Sequence, residues 1–111
     1  MDNDHFKSPE ERAAAYKHGA MLIAQDMSGL WKQLPADASE RESKLTDDPD
    51  LWSIDQLAEP KGGKSGIQRH FESKVAFIEQ QSDTEAQSRM FYRLKEELEG
   101  LRKKLRAVLQ G

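Results

Sequence analysis

The chain has 111 residues, of which 36% are hydrophobic and 33% charged, with no cysteine and a formal net charge of −3. This length allows one domain, and the lack of cysteine excludes disulfide scaffolds, thiolate metal sites and cysteine nucleophiles. The mean hydropathy of −0.87 indicates few apolar side chains for a core. We therefore expect burial to be shared between subunits, in a homo-oligomer or within a larger complex.

Charge is distributed unevenly along the chain. Residues 1–60 carry six Lys/Arg and thirteen Asp/Glu, whereas residues 61–111 carry eleven and seven. Such a difference can attract an oppositely charged partner to either half, but charge of this size is also ordinary on solvated helix faces. The simpler interpretation is that the two halves complement each other, within one chain or across an antiparallel dimer.

The first residues are acidic, and no apolar stretch follows them. They lack the basic start and the apolar core of a signal peptide. No apolar run reaches the roughly 18 residues that a membrane-spanning helix needs. We therefore expect a cytoplasmic protein without a membrane span.

The first predicted helix covers residues 9–34. Ser8 can cap the free backbone amides, Pro9 suits the first helical position, and Glu11 can reach back to complete a capping box. The helix must end by residue 34 because Pro35 disfavours helical geometry in the residue before it. Its apolar side chains recur at three- and four-residue steps, which places them on one stripe, a heptad seam. The seam consists of Ala13, Tyr16, Ala20, Ile23, Met27, Leu30 and Leu34.

Residues 35–66 are predicted to form a long, irregular, acidic connector. Asp48 followed by Pro49 is a good helix start, so we expect a short amphipathic helix over 49–58. Pro60 and the glycine-rich run after it favour a flexible linker. A connector of this length is long for a helical bundle, which indicates a function or partial disorder.

The short helix of the connector carries two large apolar neighbours, Leu51 and Trp52. An acidic, proline-bounded element of this kind can fold into the groove of a partner. It can also close over the protein's own bundle, which is the simpler interpretation. Both residues are candidates for an external contact.

Helical periodicity resumes over residues 67–81, and a second apolar seam follows over 83–110. Ile78 and Leu94 are sixteen residues apart, so at about 100° per residue their directions differ by roughly 160°. The chain therefore either turns near Ser82, as we favour, or continues as one helix with apolar faces on opposite sides. The second seam consists of Phe91, Leu94, Leu98, Leu101, Leu105 and Val108.

The sequence offers little for catalysis. Gly63-Lys64-Ser65 has the ending of a phosphate-binding P-loop, but the glycine required five positions earlier is Ala58, and no strand is predicted before it. No histidine has a ligand partner at helical metal-site spacing, and no serine lies in a nucleophile elbow. We predict no catalytic residue, no cofactor and no metal ligand.

A basic cluster at the C-terminal end is the candidate for an acidic partner. Arg102, Lys103, Lys104 and Arg106 stand among apolar residues on the last helix. Local ion pairs with preceding glutamates and the helix macrodipole explain such charges equally well. Nucleic-acid binding rests on many phosphate contacts, and the overall charge is negative, so it is an alternative only.

These patterns predict an all-α fold: an antiparallel helical bundle or coiled-coil hairpin with a long connector, completed by dimerisation. The predicted function is a non-enzymatic adaptor or regulatory subunit that binds partner proteins through the two seams. The alternatives are a nucleic-acid-associated protein using the basic cluster, and an enzyme or metal-binding bundle whose site assembles only on folding. The residues predicted to contact a partner through the seams are Tyr16, Ile23, Met27, Leu30, Trp31, Leu34, Phe91, Leu94, Leu98, Leu101 and Leu105.

Overall fold

Five helices form the secondary structure of the computed structural model, which describes residues 8–59 and 63–111. They are α1 (Pro9–Trp31), α2 (Ala38–Leu45), α3 (Pro49–Asp55), α4 (Gly66–Glu79) and α5 (Thr84–Gln110). No strand occurs in these two ranges. The predicted all-α class is therefore confirmed.

A side chain caps the first turn of each of these helices. Ser8, the residue that the sequence assigns to this role, accepts a hydrogen bond from the backbone N–H of Glu11 at 3.1 Å. The other caps are Asp37, Asp48, Ser65 and Asp83. Aspartate and serine are equally good at this position because both place an oxygen near the free amides.

α1 ends at Trp31, three residues before the limit of 34 predicted from Pro35. The backbone N–H groups of Gln33 and Leu34 donate to the carbonyls of Leu30 and Trp31 at 3.0 and 3.1 Å. These three-residue steps tighten the last turn and satisfy carbonyls that the helix end leaves free. Leu34 is still buried, so the seam reaches the core through a turn beyond the helix.

α2 lies within the segment expected to be irregular. It is polar, and Leu45 is its one buried residue, so it lacks the apolar periodicity by which helices are predicted. Its helix signals are local ones: the cap Asp37 at the start and Lys44 in the last turn. α3 ends at Asp55, short of the expected limit of 58.

The chain turns between α4 and α5, so residues 66–110 form two helices. Asp83 caps α5 by accepting from the backbone N–H of Glu85 at 3.1 Å. Ile78 and Leu94 are both buried. A straight helix would point these two side chains to opposite sides, and the turn lets both reach one core.

α1, α4 and α5 pack together as a three-helix bundle, and polar contacts give their directions. Arg12 pairs with Glu85 near the starts of α1 and α5, and Asp26 pairs with Arg102 near their ends. α1 and α5 are therefore parallel. Lys17 of α1 lies 2.7 Å from Glu79 at the end of α4, so α4 runs antiparallel to both.

The two seams thus face each other in a parallel pair, and not in the antiparallel pair that their spacing predicts. The difference arises because α4, which precedes α5 in the chain, runs antiparallel to α1. α5 follows α4 after a short turn and so runs in the direction of α1. Parallel neighbours need a long connection, which residues 32–83 supply here.

The core is built mainly from the two seams, with contributions from the connector and α4. Its buried hydrophobic members include Ile23, Met27, Trp31, Leu34, Leu45, Leu51, Ile54, Ile67, Val75, Ile78, Phe91, Leu94, Leu98, Leu101 and Leu105. The connector therefore packs on the bundle through Leu45, Leu51 and Ile54. Among the described residues, no helix combines the length and apolar character needed to cross a membrane.

Candidate partner-binding surfaces

The seam residues predicted to contact a partner lie in the core of the chain itself. Nine of the eleven are buried, and Tyr16 and Leu30 are partly buried against them. The packing of α1 on α5 therefore accounts for the heptad spacing without a second subunit. A contact with another protein must use other side chains or separate these two helices.

A buried carboxylate fixes α3 to the end of α1. Asp55 is only 6% exposed and accepts a hydrogen bond from Trp31 Nε1 at 2.8 Å. Arg41 Nε donates to both carboxylate oxygens, at 2.8 and 3.0 Å, and its guanidinium also donates to the carbonyls of Pro35 and Ala36. A carboxylate at this depth needs such partners because an unpaired buried charge is strongly unfavourable. We call Trp31, Arg41 and Asp55 the Asp55 clamp.

The Asp55 clamp holds α3 with one face buried against the bundle and with Trp52 exposed to solvent. Leu51 is fully buried and Ile54 nearly so, whereas Trp52 is 42% exposed and Leu57, just after the helix, is 41% exposed. Of the two candidate external contacts on this helix, only Trp52 is accessible. An exposed indole is informative because tryptophan is strongly enriched among residues that dominate protein interfaces.

A groove of about 400 Å³ lies between α3 and the pair α4 and α5. It is lined by Asp50, Ser53, Ile54, Leu57, His70, Glu97 and Leu101. His70 Nε2 lies 3.0 Å from Glu97 Oε2, which joins α4 to α5 along one wall. The lining combines apolar side chains with two carboxylates. We call this groove, together with Trp52 and Leu57, the Trp52 surface.

The basic C-terminal cluster is mostly paired within the chain. Arg102 Nη1 and Arg106 Nη2 lie 3.3 and 3.1 Å from Asp26 Oδ2. Lys104 Nζ lies 3.6 Å from Asp50 Oδ2. The acidic first half thus complements the basic second half inside one molecule. Arg102 and Arg106 share one carboxylate, and Lys103 has no ion pair with any described residue, so this pairing reduces the positive charge offered to phosphates without removing it.

The glycine-lysine-serine segment leads into α4. Ser65 caps that helix, and its hydroxyl lies 3.1 Å from the hydroxyl of Ser28. Lys64 Nζ donates to Glu72 Oε1 at 2.7 Å, and this hydrogen bond raises the pKa of Lys64 and lowers the pKa of Glu72. Residues 60–62 of the expected flexible linker lie outside the described residues.

Histidines and carboxylates do not gather into a metal site in the part of the chain that the structure describes. His18 is exposed on α1, and His70 is paired with Glu97. His5 lies outside the described residues.

A second groove, not predicted from the sequence, lies at the opposite end of the bundle between the N-terminal halves of α1 and α5. It has a volume of about 630 Å³. It is lined by Arg12, Tyr16, Glu85, Ser88, Arg89, Tyr92 and Arg93. The rings of Tyr16 and Tyr92 meet edge to face, with centroids 5.1 Å apart and planes at 70°. We call it the arginine–tyrosine groove.

The sequence carries a weak signal for this groove. Arg12 and Tyr16 are four residues apart, as are Arg89 and Arg93, with Tyr92 three residues after Arg89. These spacings place side chains on one helix face. Only the parallel packing of α1 and α5 brings the two sets together, and the sequence does not reveal that register.

The chain has no match among known proteins that would supply a function. No family model, no curated protein and no solved structure matches it.

Proposed function

We propose that the chain is a non-enzymatic helical adaptor or regulatory subunit that binds a partner protein through the Trp52 surface. The observation that carries this proposal is a half-exposed tryptophan held on a rigidly clamped helix. Trp52 is 42% exposed, while the neighbouring Leu51 and Asp55 are buried and fix its direction. A pre-positioned indole loses little conformational freedom when a partner covers it.

Charge indicates the chemistry of the partner. Residues 35–59 contain eight Asp/Glu and two Lys/Arg, and all of these carboxylates except Asp55 are exposed or partly exposed. Asp50 and Glu97 line the groove beside α3, where each has one partner within the chain, Lys104 and His70 respectively. Such a surface favours a partner segment that is both basic and apolar, because opposite charges steer association and apolar side chains fill the groove. The proposed partner is therefore a protein with a basic amphipathic segment.

One chain is sufficient for this function. The seams, whose heptad spacing favours a homodimer, are already buried between α1 and α5. Self-association, if it belongs to the function, would have to use surface outside the seams. The Trp52 surface is available on each chain in either case.

We expect Trp52→Ala to weaken partner binding by about 30-fold or more, the effect of removing about 2 kcal/mol at an interface hot spot. To find the partner, a photoreactive phenylalanine analogue replaces Trp52 in the native cell, and the cross-linked protein is identified by mass spectrometry. The affinities of the wild type and of Trp52→Ala for that protein are then compared by titration.

Phe77 provides a matched control, because it is an aromatic residue on α4 with 56% exposure. The analogue at position 77 should give no discrete adduct, and Phe77→Ala should bind the partner as the wild type does. A discrete adduct at 77 but not at 52, or equal adducts at both positions, would contradict the proposal.

A further inference from the structure

The arginine–tyrosine groove is separate from the Trp52 surface and independent of the function proposed above. We propose that it binds an aryl phosphate, in the form of a phosphorylated tyrosine on a peptide segment. The groove is formed by α1 and α5 near their N-terminal ends, whereas α3 packs near their C-terminal ends. The two sites therefore lie at opposite ends of the bundle.

Free guanidinium groups provide the charge for the phosphate. Arg89 and Arg93 are exposed and make no ion pair with any described residue. They are four residues apart on α5, so both project from the same face of the helix. Guanidinium groups bind phosphate through parallel N–H donors, which makes them the usual choice for phosphate recognition.

A buried hydroxyl points to a polar ligand in the same groove. Ser88 lines the groove and is only 5% exposed. Its hydroxyl has no hydrogen-bond partner among the described residues. Buried hydroxyl groups are nearly always hydrogen-bonded, so a buried hydroxyl without a partner needs an explanation. A phosphate oxygen would accept its hydrogen bond.

The tyrosines provide the aromatic part of the site. Tyr92 is 45% exposed, and its contact with Tyr16 is edge to face. An edge-to-face pair allows a further ring to join by stacking or by another edge contact. A ligand that carries its phosphate on a phenyl ring therefore fits both parts of the lining.

A neighbouring carboxylate favours one phosphate over a nucleic acid strand. Glu85 lines the groove and pairs with Arg12, which leaves two unpaired arginines for a ligand. A nucleic acid needs many phosphate contacts, and two unpaired arginines in a chain with a net charge of −3 offer too few for an extended polyanion. Arg89, Tyr92 and Arg93 on the α5 side of the groove are exposed, as access by a peptide-borne side chain requires.

The test uses the full chain and small probes of defined chemistry, followed through backbone amide shifts in nuclear magnetic resonance spectra. Phenyl phosphate should shift the amides of Ser88, Arg89 and Tyr92 in a saturable manner. Inorganic phosphate should shift them more weakly, and phenol should not. A short alanine-flanked phosphotyrosine peptide should bind more tightly than phenyl phosphate, and its unphosphorylated form should not bind.

The double variant Arg89→Glu/Arg93→Glu should lower the affinity for the phosphotyrosine peptide at least tenfold. Lys103→Glu is the matched control, because Lys103 is exposed on the same helix without an ion pair among the described residues, and it should change the affinity less than twofold. Helical circular dichroism verifies that each variant is folded. If the double variant is unfolded, Arg89→Gln/Arg93→Gln replaces it.

Three results would overturn the proposal. The first is shifts scattered over all basic residues, which would indicate general attraction of anions. The second is unchanged peptide affinity in the folded double variant. The third is an oligothymidylate strand that binds the groove as tightly as the phosphotyrosine peptide, which would assign the site to nucleic acid.

Discussion

Asp55→Ala should lower the free energy of unfolding by about 3 kcal/mol, because it removes one partner of a buried ion pair. The substitution leaves Trp31 Nε1 without its acceptor at 2.8 Å and leaves the Arg41 guanidinium, 23% exposed, without its counter-charge. An orphaned buried donor costs about 1–3 kcal/mol on its own. Urea unfolding followed by helical circular dichroism measures the change.

Two further variants separate the parts of this effect. Asp55→Asn keeps an acceptor for Trp31 but removes the charge, so it should fall between the wild type and Asp55→Ala. Asp50→Ala is the control, because the side chain of Asp50 is 70% exposed and its pairing with Lys104 is at the surface. It should change stability by less than about 0.5 kcal/mol. Equal effects of Asp50→Ala and Asp55→Ala would show that α3 is not held by the clamp.

Gly66→Ala should also destabilise the fold, by about 2 kcal/mol, because it overpacks the contact between α3 and α4. A methyl group at Gly66 would lie 2.0 Å from the carbonyl oxygen of Ile54 and 3.3 Å from Cα of Asp55. Both are backbone atoms, so no side chain can move aside, and α4 would have to shift away from α3. The midpoint of urea unfolding should fall accordingly.

Two other glycines, at which alanine should stabilise the protein, serve as controls. Gly29 in α1 and Gly100 in α5 have open space where a methyl group would be placed. Alanine at either position should stabilise its helix by up to about 1 kcal/mol. If Gly66→Ala also stabilised the protein, this result would contradict the close contact between the backbones of α3 and α4.

The features predicted well from the sequence are those that depend on neighbouring residues. The start of α1 at Ser8 follows from the chemistry of one helical turn. The seams follow from repeated spacing, and the turn before α5 follows from the opposed directions of Ile78 and Leu94. Each of these signals lies within about twenty residues of sequence.

The features that were missed depend on contacts between distant segments. The Asp55 clamp joins positions 31, 41 and 55, and nothing in the sequence distinguishes Asp55 from the other carboxylates of the connector. The arginine–tyrosine groove needs the parallel register of α1 and α5. That register depends on how α4 packs, which periodicity does not specify.

The sequence predicts a partner contact through the seams because their spacing is equally typical of a coiled-coil interface and of a bundle core. Composition favoured the interface, since 36% hydrophobic residues is a low fraction for a self-sufficient domain. The connector contributes buried side chains that favour the bundle core over the interface. Leu45, Leu51 and Ile54 are buried on the bundle and enlarge the core of a single chain.

Both proposed surfaces depend on a packing in which α1 and α5 bury each other's seam within one chain and run parallel, since this packing places the Trp52 surface and the arginine–tyrosine groove at opposite ends of the bundle. Distances between spin labels test it directly, since the chain has no cysteine of its own. One label is placed at Ala14 on α1, and the other at either Arg89 or Lys103 on α5, all of which are exposed.

Labelled chains are diluted into an excess of unlabelled chains, so that electron double resonance reports distances within one molecule. Arg89 and Lys103 are fourteen residues apart, which is about 21 Å along a helix. A parallel pair places Arg89 level with Ala14, so the distance from 14 to 89 should be much the shorter of the two. A shorter distance from 14 to 103, or the loss of both distances on dilution, would contradict the account.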